Sequence, residues 1–168
     1  MKQILNFCIF AVSLVFGHAA QAQTTPTVTS QMVAQQVDMV DGKPVLKPAS
    51  EGKSGDVLQY STTYRNTGSA AASKLLATMP VPVGTTFIAG SASPATAQAS
   101  TDGTTFAPMP LTRTVKLANG SERREVVPFA DYRALRWEIG SLPAGGTTVV
   151  SLRVRIDSPP APTAAAKP

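Results

Sequence analysis

The amino-acid sequence predicts an all-β domain, an antiparallel β-sandwich of seven to nine short strands. Three observations carry that expectation. Apolar and polar residues alternate with a period of two in several runs, turn-forming pairs recur between those runs, and nothing after the N-terminal apolar stretch keeps a helical period. Alternation puts one face of a strand against a core and the other in water, whereas an amphipathic helix needs apolar residues three and four apart.

Leu58, Tyr60, Thr62 and Tyr64 form the clearest buried face, opposite Gln59, Ser61, Thr63 and Arg65. Val150, Leu152, Val154 and Ile156 form a second, opposite Ser151, Arg153 and Arg155. Leu135, Trp137 and Ile139 form a third, with Trp137 expected to be the largest single piece of core. Asp41-Gly42 divides Val37-Asp38-Met39-Val40 from Lys43-Pro44-Val45-Leu46, a hairpin signal because both turn positions tolerate positive φ. Asn66-Thr67-Gly68, Asp102-Gly103, Asn119-Gly120 and Pro143-Ala144-Gly145-Gly146 mark further turns. The short Ala70-Ala71-Ala72 run cannot nucleate a helix. Turns at roughly 8–12-residue intervals are the spacing of a sandwich.

The two ends read differently. Lys2, an apolar stretch over residues 4–16 and Ala20-Gln21-Ala22 together predict a signal peptide over residues 1–22. The apolar run falls short of the roughly 20 residues that span a bilayer. Cleavage after Ala22 removes Lys2 and takes the net charge from +5 to +4, a mild excess that suits solubility and weak attraction to anionic polymers. Residues 158–168, SPPAPTAAAKP, predict a disordered or semi-rigid tail. Between these ends the expected organisation is an N-terminal extension over residues 23–50, a β-hairpin added to the sandwich, and the sandwich itself over residues 51–157.

The same cleavage restricts chemistry. The single cysteine and single histidine, Cys8 and His18, both leave with the signal. A disulfide framework, the Ser-His-Asp and Cys-His arrangements and the zinc sites that use these ligands are then impossible. The ten acidic residues are scattered, and the adjacent Lys53 and Ser54 point apart on a strand. Glu51, Asp56 and Asp102 lack the dense carboxylate spacing that calcium needs. Arg113, Lys116, Arg123 and Arg124 are the densest cations, but Glu122 and Glu125 dilute them and no aromatic residue is interleaved, so a nucleic-acid site is not expected. Phe106 and Met109 lie between prolines and a glycine and are expected to fold back over the sandwich end. Arg153 and Arg155 are expected on the outer face of the last strand, where charges on an edge deter unwanted pairing.

Three segments resemble a known family. Gly55-Asp56-Val57-Leu58-Gln59-Tyr60, continuing to Tyr64-Arg65-Asn66-Thr67-Gly68-Ser69-Ala70, is similar to the opening of the bacterial conserved-repeat domain called DUF11. Residues 79–87, MPVPVGTTF, resemble its middle, and residues 135–145, LRWEIGSLPAG, its closing strand. The resemblance implies an Ig-like sandwich of exported envelope or surface proteins, commonly repeated, with no catalytic residues. This chain departs in having one copy, the extension before Glu51 and an insertion over residues 94–131.

The function expected is therefore an exported, non-catalytic structural or protein-interaction module of the bacterial cell envelope or surface. Two alternatives stand beside it: a subunit of a surface polymer assembled by strand exchange, and a glycan-binding module. Its expected partners are an envelope or surface protein, a second copy of the chain, or an anionic glycan, with no nucleic acid. Catalytic, metal and cofactor residues are expected to be none, no transmembrane segment is expected after cleavage, and the location expected is periplasmic, outer-surface or extracellular.

Overall fold

A computed structural model describes residues 25–49 and 51–158. The expected signal peptide over residues 1–22 and residues 159–168 of the expected tail lie outside them. Eleven strands occur in chain order: β1 (Val28–Val40), β2 (Lys43–Pro48), β3 (Val57–Asn66), β4 (Ala72–Pro80), β5 (Thr85–Phe87), β6 (Gln98–Ser100), β7 (Ala107–Pro108), β8 (Thr112–Lys116), β9 (Glu122–Val126), β10 (Ala134–Leu142) and β11 (Thr147–Ile156). One 3-10 turn, Phe129–Asp131, precedes β10.

Nine of the strands build two packed antiparallel sheets. The wide sheet runs β2-β1-β3-β11-β5 and the narrow sheet β4-β10-β6-β7, while β8 and β9 pair only with each other. The fold is thus the all-β sandwich that the alternation predicts. Tyr60, Thr62 and Leu58 stand opposite Leu152, Val150 and Val154 in the β3–β11 register, so both strands present their apolar sets to one side. Val150, Leu152 and Val154 from the wide sheet meet Ala77, Met79, Leu135 and Trp137 from the narrow one, all at most 1 % exposed. Each fully buried aliphatic side chain contributes roughly 1.5–3 kcal/mol, so this layer holds the fold without any cross-link among the described residues. Trp137 also donates its indole N–H to the Pro94 carbonyl at 2.7 Å, leaving its polar handle satisfied.

Two sequence expectations change. Ile139 does not continue the Leu135–Trp137 face at full depth, because β10 shifts register between Glu138 and Gly140 and leaves Ile139 half-buried. The last strand is not an edge: β11 lies between β3 and β5, so Arg153 and Arg155 sit on the outer face of an interior strand.

The insertion contributes β6 to β9. Tyr132 stacks on Phe87 at 5.9 Å between ring centroids, and Phe129 packs edge-on to both. Met109 packs against this core, and Phe106 lies under the Arg136 guanidinium at 4.1 Å, so both fold back as expected.

Candidate interaction surface

The most exposed apolar structure among the described residues is the β1–β2 hairpin. Asp41 (φ 49°) and Gly42 (φ 74°) form the two-residue turn with both central residues left-handed, which matches the twist of the strands it joins. β1 pairs with β3 from Val28↔Asn66 to Gln36↔Leu58, and β2 pairs with β1 from Val40↔Lys43 to Gln35↔Pro48. The narrow sheet does not reach this far. β10 packs against β11, and the Thr78 backbone of β4 meets the Tyr64 phenol of β3. The β4 edge therefore stands above β3, and β1 and β2 project beyond it as a wing open on both faces. Burial raises the Tyr64 phenol pKa, against the opposing pull of the Thr78 N–H.

The register sorts the wing's side chains. Met32, Ala34, Gln36, Asp38 and Val40 share the face of Leu58, Tyr60 and Thr62, joined by Lys43, Val45 and Lys47 of β2. We call this face the ledge. The outer face carries Val33, Val37 and Met39 with Pro44, Leu46 and Pro48. Met32 is 48 % exposed, Met39 66 %, and Val33, Val40, Val45 and Leu46 between 39 % and 46 %. On the outer face Val37, Met39, Val57 and Ile88 bound a groove of about 310 Å³ that ends at Arg153.

The edge of β2 is poor for strand addition, whereas β1 is uncovered over Val28–Ala34, because β2 pairs only with Gln35–Val40. A two-residue hairpin turn is flanked by a hydrogen-bonded pair, here Val40 and Lys43, and bonding alternates from there. Lys43, Val45 and Lys47 thus direct their backbone groups to β1, and Pro44, Leu46 and Pro48 direct theirs outward. Two of the three outward positions are proline, so Leu46 supplies the only outward N–H of β2. The β4 edge follows the same logic. Val81 N–H donates to the Arg133 carbonyl at 2.9 Å, so along the register Pro80, Thr78 and Leu76 face outward. Pro80 has no N–H, whereas the N–H groups of Thr78 and Leu76 point outward, that of Thr78 towards the Tyr64 phenol. Prolines spaced i, i+4 within an alternating run were the sequence signal for the poor β2 edge.

The remaining candidates hold little chemistry. Asp102 Oδ1 accepts from the N–H groups of Thr104 and Thr105 at 2.8 and 2.7 Å and from the Ser100 hydroxyl at 2.8 Å. These bonds hold its carboxyl far below the usual carboxylate range. Asp56 Oδ2 accepts from the backbone N–H of Lys53 at 2.8 Å, and the Ser54 hydroxyl bonds that of Ser158 at 2.8 Å. Among the described residues no three His, Cys, Asp or Glu side chains gather as a metal site. The expected basic segment becomes the β8–β9 ribbon, where Glu125 accepts from Arg113 at 2.8 Å and Arg123 at 3.3 Å. Its carboxyl pKa is lowered, first by the Arg113 hydrogen bond. Between this ribbon and the sandwich lies a polar cleft of about 530 Å³, lined by Asp102, Thr105, Leu111, Arg113, Asp131 and Arg133 among others, with no aromatic side chain. No described helix is long and apolar enough to cross a membrane. Comparison with protein-family models, curated proteins and solved structures found no match to this chain.

Proposed function

We propose that this chain is an exported, non-catalytic interaction module of the bacterial envelope, an Ig-like sandwich of the DUF11 kind that binds partner proteins through the β1–β2 wing. One observation carries the reading: a two-stranded wing exposes six large apolar side chains on its two faces. Apolar area left in water without a partner weakens solubility, so a contiguous patch of this kind marks a contact surface. Pro44 and Pro48 disfavour strand addition at β2, while the β1 edge over Val28–Ala34, uncovered and without proline, keeps assembly by strand exchange as the second reading. Glycan binding has less support, because the polar cleft lacks aromatic side chains, its Asp131 pairs with Arg113 and its Asp102 is spent on local bonds.

Site-specific photo-crosslinking in living cells tests the proposal. A crosslinking residue at Met39 or Leu46 should yield discrete protein adducts, and one at fully exposed Val83, away from the wing, should not. Adducts in equal yield from all three positions, or from none, defeat the reading.

A further inference from the structure

We infer that the uncovered half of β1 pairs antiparallel with the same half of β1 in a second copy of this chain, joining two wide sheets about a two-fold axis at Ser30. The inference rests on the second reading above, pairing through the β1 edge, and names the partner and the register. Val40 and Lys43 flank the two-residue turn as a hydrogen-bonded pair, so the even positions of β1 direct their backbone groups away from β3. Thr27, an odd position, directs its carbonyl the other way and accepts from Thr67 N–H at 2.7 Å. The N–H and C=O groups of Val28, Ser30, Met32 and Ala34 therefore point outward, where β2 no longer covers them. Other edges among the described residues are guarded. β2 and β4 present Pro44, Pro48 and Pro80, β5 and β7 run only three and two residues, and β8 and β9 are charged. Residues 28–34, VTSQMVA, contain no proline and no charge. An edge kept for a different protein still needs a guard against its own copies, and this one has none.

The ends of the gap select the register. Pro48, the last residue of β2, stands opposite Gln35, and at the other end Thr25 and Thr27 lie against Gly68 of the β3–β4 connection. With Ser30 opposite Ser30 of the second copy, Val28 faces Met32, and Pro26, which needs no partner for an N–H, comes opposite Ala34. Three outward pairs then exchange two backbone bonds each. Sliding two residues one way drives Thr27 onto Pro48 of the second copy, and sliding two the other way loses a bonded pair. A slide of one residue sets outward groups against inward ones. The side chains agree with this register. Val28 meets Met32, which is 48 % exposed, on the ledge face, and Thr29 meets Gln31 on the outer face. Val33, 46 % exposed, comes opposite Thr27. No like charges are opposed anywhere along the contact, and the lysines of β2 lie beyond it. Each copy uses the same edge, so the contact is isologous and closes as a dimer rather than a filament. Affinity comes from main-chain bonds more than from area, which places the dissociation constant on the order of micromolar or weaker.

Sedimentation velocity of the purified protein over a concentration series up to about 1 mM tests the dimer, with three variants at the axis. Wild type should shift from monomer to dimer as concentration rises. Ser30→Pro removes an outward N–H while leaving the bonds to β3, and should abolish the shift. Ser30→Lys and Ser30→Asp each place like charges opposite one another across the axis, and each should raise the dissociation constant about fivefold. An equimolar mixture of these two should dimerise at least as well as wild type, because only position 30 faces its own copy. Near-ultraviolet circular dichroism of Trp137 checks that each variant is folded, and a misfolded variant leaves the wild-type series as the deciding result. Wild type that stays monomeric throughout overturns the dimer, and protection of Met32 in cells would then mean that a different protein fills the edge. Folded variants that dimerise as well as wild type, or a mixture that shows no rescue, also overturn it. None of these outcomes touches the outer-face crosslinks at Met39 and Leu46, whose failure would sink face docking alone.

Discussion

The Asn66 side-chain amide donates to the Leu142 carbonyl at 2.9 Å, across 76 positions of sequence. The same fully buried amide donates to Ala70 O at 2.8 Å and Pro143 O at 3.2 Å, while its Oδ1 accepts from Gly68 N–H at 3.1 Å. One side chain thereby ties the β3–β4 connection to the β10–β11 turn. Asn66→Ala leaves several of these buried backbone groups without a partner, and each such group costs about 1–3 kcal/mol. Urea denaturation should show a loss of about 3 kcal/mol or more, and a loss below about 1 kcal/mol contradicts the hub.

Gly68 is required for a different reason. A Cβ there would strike the backbone of Thr25 and Thr27, where the chain passes before β1. Gly68→Ala should loosen the start of β1 without unfolding the sandwich. Hydrogen exchange should accelerate at residues 28–32 and remain slow in β11.

Trp137 fills the centre of the core at 1 % exposure. Trp137→Ala should cost about 3–5 kcal/mol, a large part of a small domain's stability. Trp137→Phe keeps most of the ring volume but forfeits the bond to Pro94, and should cost less. An alanine variant within about 1 kcal/mol of wild type in denaturant titration means the strand is inverted.

The outward prolines make an aggregation prediction. Pro44→Thr with Pro48→Thr restores two outward N–H groups to β2 without touching its pairing to β1. The double variant should melt near the wild-type temperature yet scatter light and bind thioflavin T on incubation. Deleting residues 24–50 should have a stronger effect, because it bares the long edge of β3, which contains no proline. A truncated chain as stable and soluble as wild type contradicts the role of the hairpin as a cover.

Asp102 gives a pH test. Its folded pKa is depressed by the Thr105 and Thr104 N–H bonds, so its stabilising effect is present above the unfolded carboxylate pKa, about 3.9. That effect is lost only as pH falls through the lower folded value. The amide resonances of Thr104 and Thr105 should therefore stay constant from neutral pH down to about pH 3. Titration of both near pH 4 means the loop does not hold the carboxylate.

Much of this fold is local information. The alternations at residues 58–64 and 150–154 report which side chains face inward, and Asp41-Gly42 reports a hairpin, because pleat and turn geometry are set by neighbours in sequence. What sequence leaves open is which strands become neighbours. Alternation in β11 is the same whether the strand is an edge or central, so Arg153 and Arg155 read as edge protection when the pairing places β11 between β3 and β5. The overhang of the wing depends on two sheets having different widths, a property of no single segment. The poor β2 edge was within reach, since Pro44 and Pro48 share one side of a strand and remove two N–H donors there. The role of Asn66 was not, because its partners arrive from connections far along the chain.

Methionine oxidation footprinting tests the central claim, that the wing is a contact surface, most directly. Met32 and Met39 are 48 % and 66 % exposed, whereas Met79 is fully buried and serves as an internal control. In dilute purified protein Met32 and Met39 should oxidise rapidly while Met79 resists. In intact cells expressing the chain, both wing methionines should be protected several-fold, with Met79 unchanged. Equal oxidation of Met32 and Met39 in the two settings would mean the wing meets no partner where the protein works, and the account would fail.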